Sequence, residues 1–233
     1  MSQHYDTRSR GQFHNSWLQS HHTFSFGGFQ DSRRMGFRSL RVINEDRVTP
    51  AGGFAPHGHR DMEIITYVLE GELGHKDNLG NGSVIRPGEI QRMSAGTGIR
   101  HSEMNASSDA PVHFLQIWIE PNKSGHAPSY AQVQLLPESG KSGFTPIATP
   151  DGGSGAISLN QDATLSVSKP DAGEAVDITL SADRYGFLHI VKGSVEVDGK
   201  TYRAGDGLAF EGIDGAFAMT ASERSEVLLF NLA

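Results

Sequence analysis

Two short stretches constrain this chain more than anything else in it: Pro56-His57-Gly58-His59 and Arg100-His101-Ser102-Glu103. Each sets two metal-capable side chains two residues apart. In an extended strand, side chains at i and i+2 leave the same face, so His57 and His59 should point together, as should His101 and Glu103. The 41 residues between His59 and His101, 60–100, carry Glu70-Gly71, Gly80-Asn81-Gly82, Pro87-Gly88 and Gly96-Thr97-Gly98, all turn signals. Turns at those intervals allow several short antiparallel strands that bring the two stretches side by side in a small barrel. Three imidazoles and a carboxylate then converge on one point, which is the donor set of a metal site.

Composition agrees with a strand-rich chain. Among 233 residues there are 28 glycines and 10 prolines, and no stretch shows a convincing helical period. The net charge of −7 is unbroken by any Lys/Arg run, which argues against direct nucleic-acid binding. The absence of cysteine excludes disulfides, thiolate metal sites, iron–sulfur clusters and cysteine nucleophiles together. The N-terminus is polar, and no apolar run reaches the ~20 residues of a membrane-spanning helix. A soluble, cytoplasmic, monomeric protein is expected.

Taken in order, residues 1–39 supply packing pieces, with His21 and His22 read as structural histidines. Leu40–Asn44 reads as a strand closed by an acidic turn at Glu45-Asp46. Ile64–Leu69 is a β-branched run of the kind buried on both faces. Ser83–Arg86 and Ile90–Met93 read as a hairpin about Pro87-Gly88. Val112–Ile119 is a long apolar strand in which His113 is structural. The Pro-rich segment 120–155 connects two halves, with a strand over 131–136, giving an N-terminal barrel over 1–135 and a C-terminal barrel over 136–233.

The second half echoes the first. Val68-Leu69-Glu70-Gly71 aligns with Ile190-Val191-Lys192-Gly193, and Arg86-Pro87-Gly88-Glu89 with Arg203-Ala204-Gly205-Asp206. Counting from those glycines places Thr179, Ser181, Ala218 and Thr220 where the first half has His57, His59, His101 and Glu103. The C-terminal barrel is therefore expected to bind no metal.

The succession H-x-H, Gly turn, P-G and second histidine resembles the two motifs of cupins. More closely, the chain resembles pirin and its bacterial relatives, the pirin-like quercetin dioxygenases. The resemblance rests on His22-Thr23-Phe24-Ser25-Phe26, Gly36-Phe37-Arg38-Ser39-Leu40-Arg41-Val42 and His57-Gly58-His59-Arg60-Asp61-Met62-Glu63. It continues through Met93–Glu103 and Gln116-Ile117-Trp118-Ile119. It implies an all-β bicupin, with an N-terminal Fe(II) held by His57, His59, His101 and Glu103, and dioxygenase activity toward a flavonol with O2. It also implies, for some members, a metal- or redox-sensing role exercised through a protein partner. Many cupins take their carboxylate from the first motif. Here Glu63 sits one residue early for that role, and a one-residue slip turns a strand side chain to the other face, so Glu103 is the expected ligand.

Three neutral imidazoles and a carboxylate also suit Mn, Ni, Cu, Co or Zn, and the donor set alone does not choose among them. Four protein ligands leave two places on an octahedral ion, enough for O2 and a small aromatic substrate. Glu103 is the expected catalytic base, taking the flavonol 3-hydroxyl proton. Phe54 and Met62 are candidates for the pocket wall or the core.

Overall fold

The computed structural model describes residues 2–136, 138, 140, 141, 143–153 and 155–233. Among them the only helical segment is a 3-10 turn, Thr7–Ser9. The strands in chain order are β1 (Ser2–Tyr5), β2 (Gly11–His14), β3 (Leu18–His22), β4 (Leu40–Val48), β5 (Gly53–His59) and β6 (Glu63–Glu70). Next come β7 (Leu73–Asp77), β8 (Gly82–Ile85), β9 (Glu89–Ser94), β10 (Ile99–Asn105), β11 (Val112–Ile119) and β12 (Ser129–Gln134). The rest are β13 (Thr145–Thr149), β14 (Ile157–Ser158), β15 (Ala163–Ser168), β16 (Ala175–Leu180) and β17 (Tyr185–Lys192). The last five are β18 (Ser194–Val197), β19 (Lys200–Arg203), β20 (Gly207–Phe210), β21 (Gly215–Ala221) and β22 (Glu226–Leu232). No helix among the described residues is long and apolar enough to cross a membrane.

These strands form two compact units, in keeping with the expected all-β bicupin class. One holds residues 11–135 and 157–161, the other residues 1–10, 136–156 and 162–233. A linear division at 135/136 thus differs from the observed one at both ends. β1 pairs with β20 in the second unit, while residues 157–161 belong to the first.

The first unit is a pair of antiparallel sheets. The larger runs β12-β9-β6-β11-β4-β3-β2 and the smaller β5-β10-β7-β8. The expected turn at Glu70-Gly71 and the expected hairpin about Pro87-Gly88 prove to be crossings between these sheets. β6 pairs with β9 and β11, but β7, across Gly71, pairs with β8 and β10. Likewise β8 pairs with β7, while β9, across Pro87-Gly88, joins β6 and β12. Gly71 has φ of 78°, and a Cβ there would meet the Pro111 carbonyl oxygen at 2.5 Å. Only glycine fits that approach. β6, buried from Glu63 through Leu69, sits in the middle of the larger sheet as its β-branched run requires.

The expected turn at Glu45-Asp46 does not form. β4 runs through it to Val48, because both acids find places in a strand. Glu45 Oε1 lies 2.9 Å from His113 Nε2, and Asp46 turns inward opposite Ser20. A polar row then crosses the sheet in register: His22, Asn44, Gln116, Thr66, Gln91 and Gln132 occupy directly opposed positions on six strands. Opposed residues share a face, so one polar band lines the inside of the unit.

Asp46 is an acid that this arrangement strains. Burial pushes its carboxyl up to about 7, with Glu103 and Glu45 adding to the effect and Ser20 opposing it. The folded chain therefore holds this proton more tightly than the unfolded one. The stabilisation it gives is full below about pH 4 and is lost as pH rises through about 7. At 1.36 kcal/mol per pH unit, the limit is about 4 kcal/mol. Asp46→Asn should therefore gain about 2–4 kcal/mol relative to wild type between pH 5 and pH 8. Urea unfolding of both proteins at the two pH values checks this, and parallel pH profiles would contradict it.

The second unit repeats the two-sheet plan, with β16-β21-β18-β19 as the smaller sheet and β1-β20-β17-β22-β15-β13 as neighbours in the larger. Its interior is apolar, with Val176, Ile178, Leu180, Met219 and Phe210 in one core cluster. Along β16 and β21 the buried positions are Val176, Ile178, Leu180, Met219 and Ala221, while Thr179, Ala218 and Thr220 face outward. Counting from the turn glycines lands one residue off the inward face. The positions that match the histidines in direction are filled by aliphatic side chains.

Candidate metal centre

β5 and β10 pair antiparallel, with His101 directly opposite His57 and Ile99 opposite His59. The register then shifts: Glu103 faces Phe54, so β5 carries one extra residue between Phe54 and His57. Proline at position 56 suits that bulge, since it has no N–H to leave unpaired. Against β7 the register of β10 is unbroken, and Glu103 lies opposite His75. Gly53 permits the close passage of β5, because a Cβ there would sit 2.4 Å from the Glu103 carbonyl oxygen.

Three of the four expected donors come together as a group. His57, His59 and His101 each offer a nitrogen, all within 4.8 Å of one another. Their ring centroids are 4.5 to 4.9 Å apart. Among the described residues this is the only such group. His57 Nδ1 lies 2.9 Å from the Ala55 carbonyl oxygen, so it carries the proton and leaves Nε2 with its lone pair. His101 is buried, and its Nε2 has no hydrogen-bond partner. A buried imidazole nitrogen without a partner, facing two others, is what a divalent transition ion would satisfy.

The expected fourth donor, Glu103, points to the same side as His101 from two residues along β10. Both are buried while Arg100 and Met104 are exposed. Its carboxyl is fully enclosed. Gln116 Nε2 donates to both of its oxygens, at 3.0 and 2.8 Å, and the Thr66 hydroxyl lies 3.3 Å from Oε1. Oε2, which accepts from Gln116 alone, retains a lone pair for a further partner. Glu63 is engaged elsewhere. Both of its oxygens accept from Ser94 Oγ, at 2.7 and 2.8 Å, and Asn160 closes the other side.

Electrostatics keep His59 and His101 neutral. Burial lowers His59 to about 4, with the neighbouring His57 adding to it. Burial takes His101 to about 3, with His57, His59 and His75 contributing. Glu103 moves the other way, because burial raises its carboxyl against the opposing hydrogen bond from Gln116. Neutral imidazoles are ready ligands, and a buried carboxyl with raised proton affinity is a ready proton acceptor.

The wall is aromatic. Trp118 stands edge-on to His59 at 5.0 Å and Phe26 packs on Trp118 at 5.4 Å. Phe54 lies 6.4 Å from His57 and is also packed into a core cluster with Trp17. Met62 packs against Ile64 and Met93. A cleft of about 420 Å³ opens beside His59, between Arg60, Asn78, Thr97 and Arg100.

Sequence reading missed four residues next to the cluster. Gln116 and Thr66 hold Glu103, and nothing in their local sequence marks them. His75 and Asp77 carry the same i, i+2 spacing as the donors found. They sit on β7 directly opposite Glu103 and His101.

Comparison with known proteins identifies relatives along nearly the whole chain. The Pirin family profile matches residues 4–119, and the Quercetinase C-terminal cupin domain profile matches residues 146–232. The chain is 42% identical to the Escherichia coli (strain K12) protein named Quercetin 2,3-dioxygenase, over 96% of this chain and 95% of that one. It is 39% identical to a Pirin-like protein of Caulobacter vibrioides, over 93% of each chain. The crystal structure of bacterial pirin YhhW from Escherichia coli in complex with nickel(II) superposes with a TM-score of 0.94 at 40% identity. That match covers 100% of this chain and 99% of the other. Likeness at this level over nearly the whole length means that the chain belongs to the pirin family.

Proposed function

We propose that this protein is a metal-dependent dioxygenase that opens a flavonol ring with O2, at an Fe(II) held by His57, His59, His101 and Glu103. The observation that carries this reading is the convergence of three imidazoles, His59 and His101 held neutral by burial, beside the buried carboxyl of Glu103. The Escherichia coli relative named Quercetin 2,3-dioxygenase supports the substrate class, and the nickel(II) complex of bacterial pirin supports a divalent ion as the cofactor. The ion supplies positive charge for a substrate oxyanion and an electronic route to O2.

The chain's own residues do the rest. Glu103 takes the proton of the flavonol 3-hydroxyl, which its burial favours. Gln116 and Thr66 keep its oxygens aimed before and after that transfer. Trp118 and Phe54 offer ring edges and faces to a flat aromatic substrate. The conversion consumes one O2 per flavonol, both oxygen atoms stay in the products, and one ring carbon leaves as carbon monoxide.

The test is anaerobic reconstitution with Fe(II), addition of quercetin and O2, and simultaneous measurement of O2 uptake and carbon monoxide. The expected result is a one-to-one-to-one stoichiometry. Absence of flavonol turnover with Fe(II), Ni(II), Co(II) and Mn(II) alike would remove the reading.

A further inference from the structure

Behind His101, on the side away from His57 and His59, lies a second file of polar groups that metal binding does not use. His101 Nδ1 is 3.5 Å from His75 Nδ1, at the long end of hydrogen-bond range. His75 Nε2 is 3.2 Å from Asp77 Oδ2. Asp77 is fixed in turn. Its Oδ1 accepts from the backbone N–H groups of Leu79 and Asn81, and its Oδ2 from Asn81 Nδ2 at 2.9 Å. The His75 ring is held by Tyr130, stacked on it at 4.8 Å, whose hydroxyl contacts Ser83 and donates to Gln132. His75 and Asp77 are buried.

We infer that Asp77 and His75 form a relay that fixes the tautomer and ring orientation of His101, so that its Nε2 lone pair faces His57 and His59. The inference rests on the reading of His101 as a metal ligand. The logic follows from donor and acceptor counts. An ionised carboxylate only accepts, so the His75 nitrogen beside Asp77 must be the N–H. The hydrogen bonds from Asn81, His75 and Leu79 together outweigh burial and keep Asp77 on the acidic side of its ordinary value. With its N–H turned to Asp77, His75 presents Nδ1 as an acceptor toward His101. That nitrogen can be satisfied only if His101 Nδ1 carries the proton, which leaves the lone pair on Nε2. This Nε2 is the atom the protein leaves buried without a partner. A ligating histidine with its other nitrogen hydrogen-bonded, and that partner held by a carboxylate, is a general arrangement for orienting a ligand and raising its basicity. Here a second imidazole stands between ligand and carboxylate.

Asp77 and His75 are positioning residues, and two variants read their role. Asp77→Asn leaves an Oδ1 for the Leu79 and Asn81 amides but turns an NH2 toward His75. His75 then moves its proton to Nδ1, and His101 must accept there and carry its own proton on the ligand atom. His75→Phe keeps the stack on Tyr130 and removes both nitrogens. Co(II) affinity, measured on the full-length protein by competition with a chromophoric chelator, is expected to fall about 10–100-fold in each variant. Imidazole ¹⁵N resonances of the metal-free proteins give a second readout that packing damage alone would not produce. They should show His101 as the Nδ1–H tautomer in wild type, as Nε2–H in Asp77→Asn, and as a mixture in His75→Phe. Co(II) affinity within twofold of wild type in both variants, with His101 unchanged, overturns the relay. So does an Nε2–H tautomer for His101 in the wild-type protein, which decides the matter even if a variant fails to fold. Failure of wild type to bind Co(II), with His101 nevertheless in the Nδ1–H form, overturns the metal-site reading while upholding the tautomer relay.

Discussion

Replacing His57 and His101 together by alanine should abolish metal binding while leaving a folded β protein. The two rings face each other across β5 and β10, so their loss removes one donor from each strand at one level of the cluster. If a four-ligand site contributes about 10–16 kcal/mol, two ligands account for about 5–8 kcal/mol. At 1.4 kcal/mol per tenfold, the affinity should fall about 10⁴–10⁶-fold. The fold should survive because the losses are local: ring contacts, the His57 Nδ1 bond to the Ala55 carbonyl and the long contact of His101 with His75. A stability cost of about 1–3 kcal/mol is expected for the pair. Metal content after dialysis, read beside a thermal unfolding curve, checks both halves of the expectation. Undiminished metal in a folded double variant would show that these histidines are not the ligands.

Glu103→Gln should separate binding from chemistry. The amide keeps an oxygen donor but cannot accept a proton near neutrality. Gln116 Nε2 presently donates to both Glu103 oxygens, and one of those contacts becomes NH2 against NH2 in the variant. Rotation of the Gln116 amide toward Thr66, 3.3 Å away, relieves it. Metal should therefore be retained at somewhat lower affinity, while flavonol cleavage falls about 10²–10⁴-fold, the usual loss on removing a general base. Raising the pH to supply the substrate as its anion should restore part of the rate. Single-turnover cleavage at matched metal occupancy is the measurement. A metal-loaded variant with full activity would leave Glu103 without a role as base.

What the sequence made legible, and what it hid, divides along one physical line. Side-chain period within a strand is local, so the His57/His59 and His101/Glu103 pairs could be read directly, and Glu63 could be set aside because it lies one residue out of phase. Partner strands are not local. Pro87-Gly88 and Glu70-Gly71 look like hairpin turns, and nothing in their residues says that the chain leaves one sheet for the other there. Glu45-Asp46 looks like a turn because two acids seldom continue a strand. Here His113 and the inward pocket opposite Ser20 absorb them. Counting back from the turn glycines pairs Thr179 and Ser181 with the histidines, and that count fails because the β16–β17 connection, 181–184, is one residue longer than the β5–β6 connection, 60–62. His75 and Asp77 had the right spacing and were overlooked, since their part depends on register with β10.

The unequal burial of the three imidazoles has a consequence for exchange. His101 lies in β10, hydrogen-bonded on both sides by β5 and β7, whereas His57 and His59 are half-buried on β5, at one edge of the smaller sheet. Edge strands open locally at a fraction of the free energy of global unfolding. Fraying of seven residues therefore frees two donors at once while the inner strand stays paired. Release of an ion would then be timed by β5 and not by the lifetime of the native state. A chelator in solution would take it at a rate nearly independent of the protein's global stability.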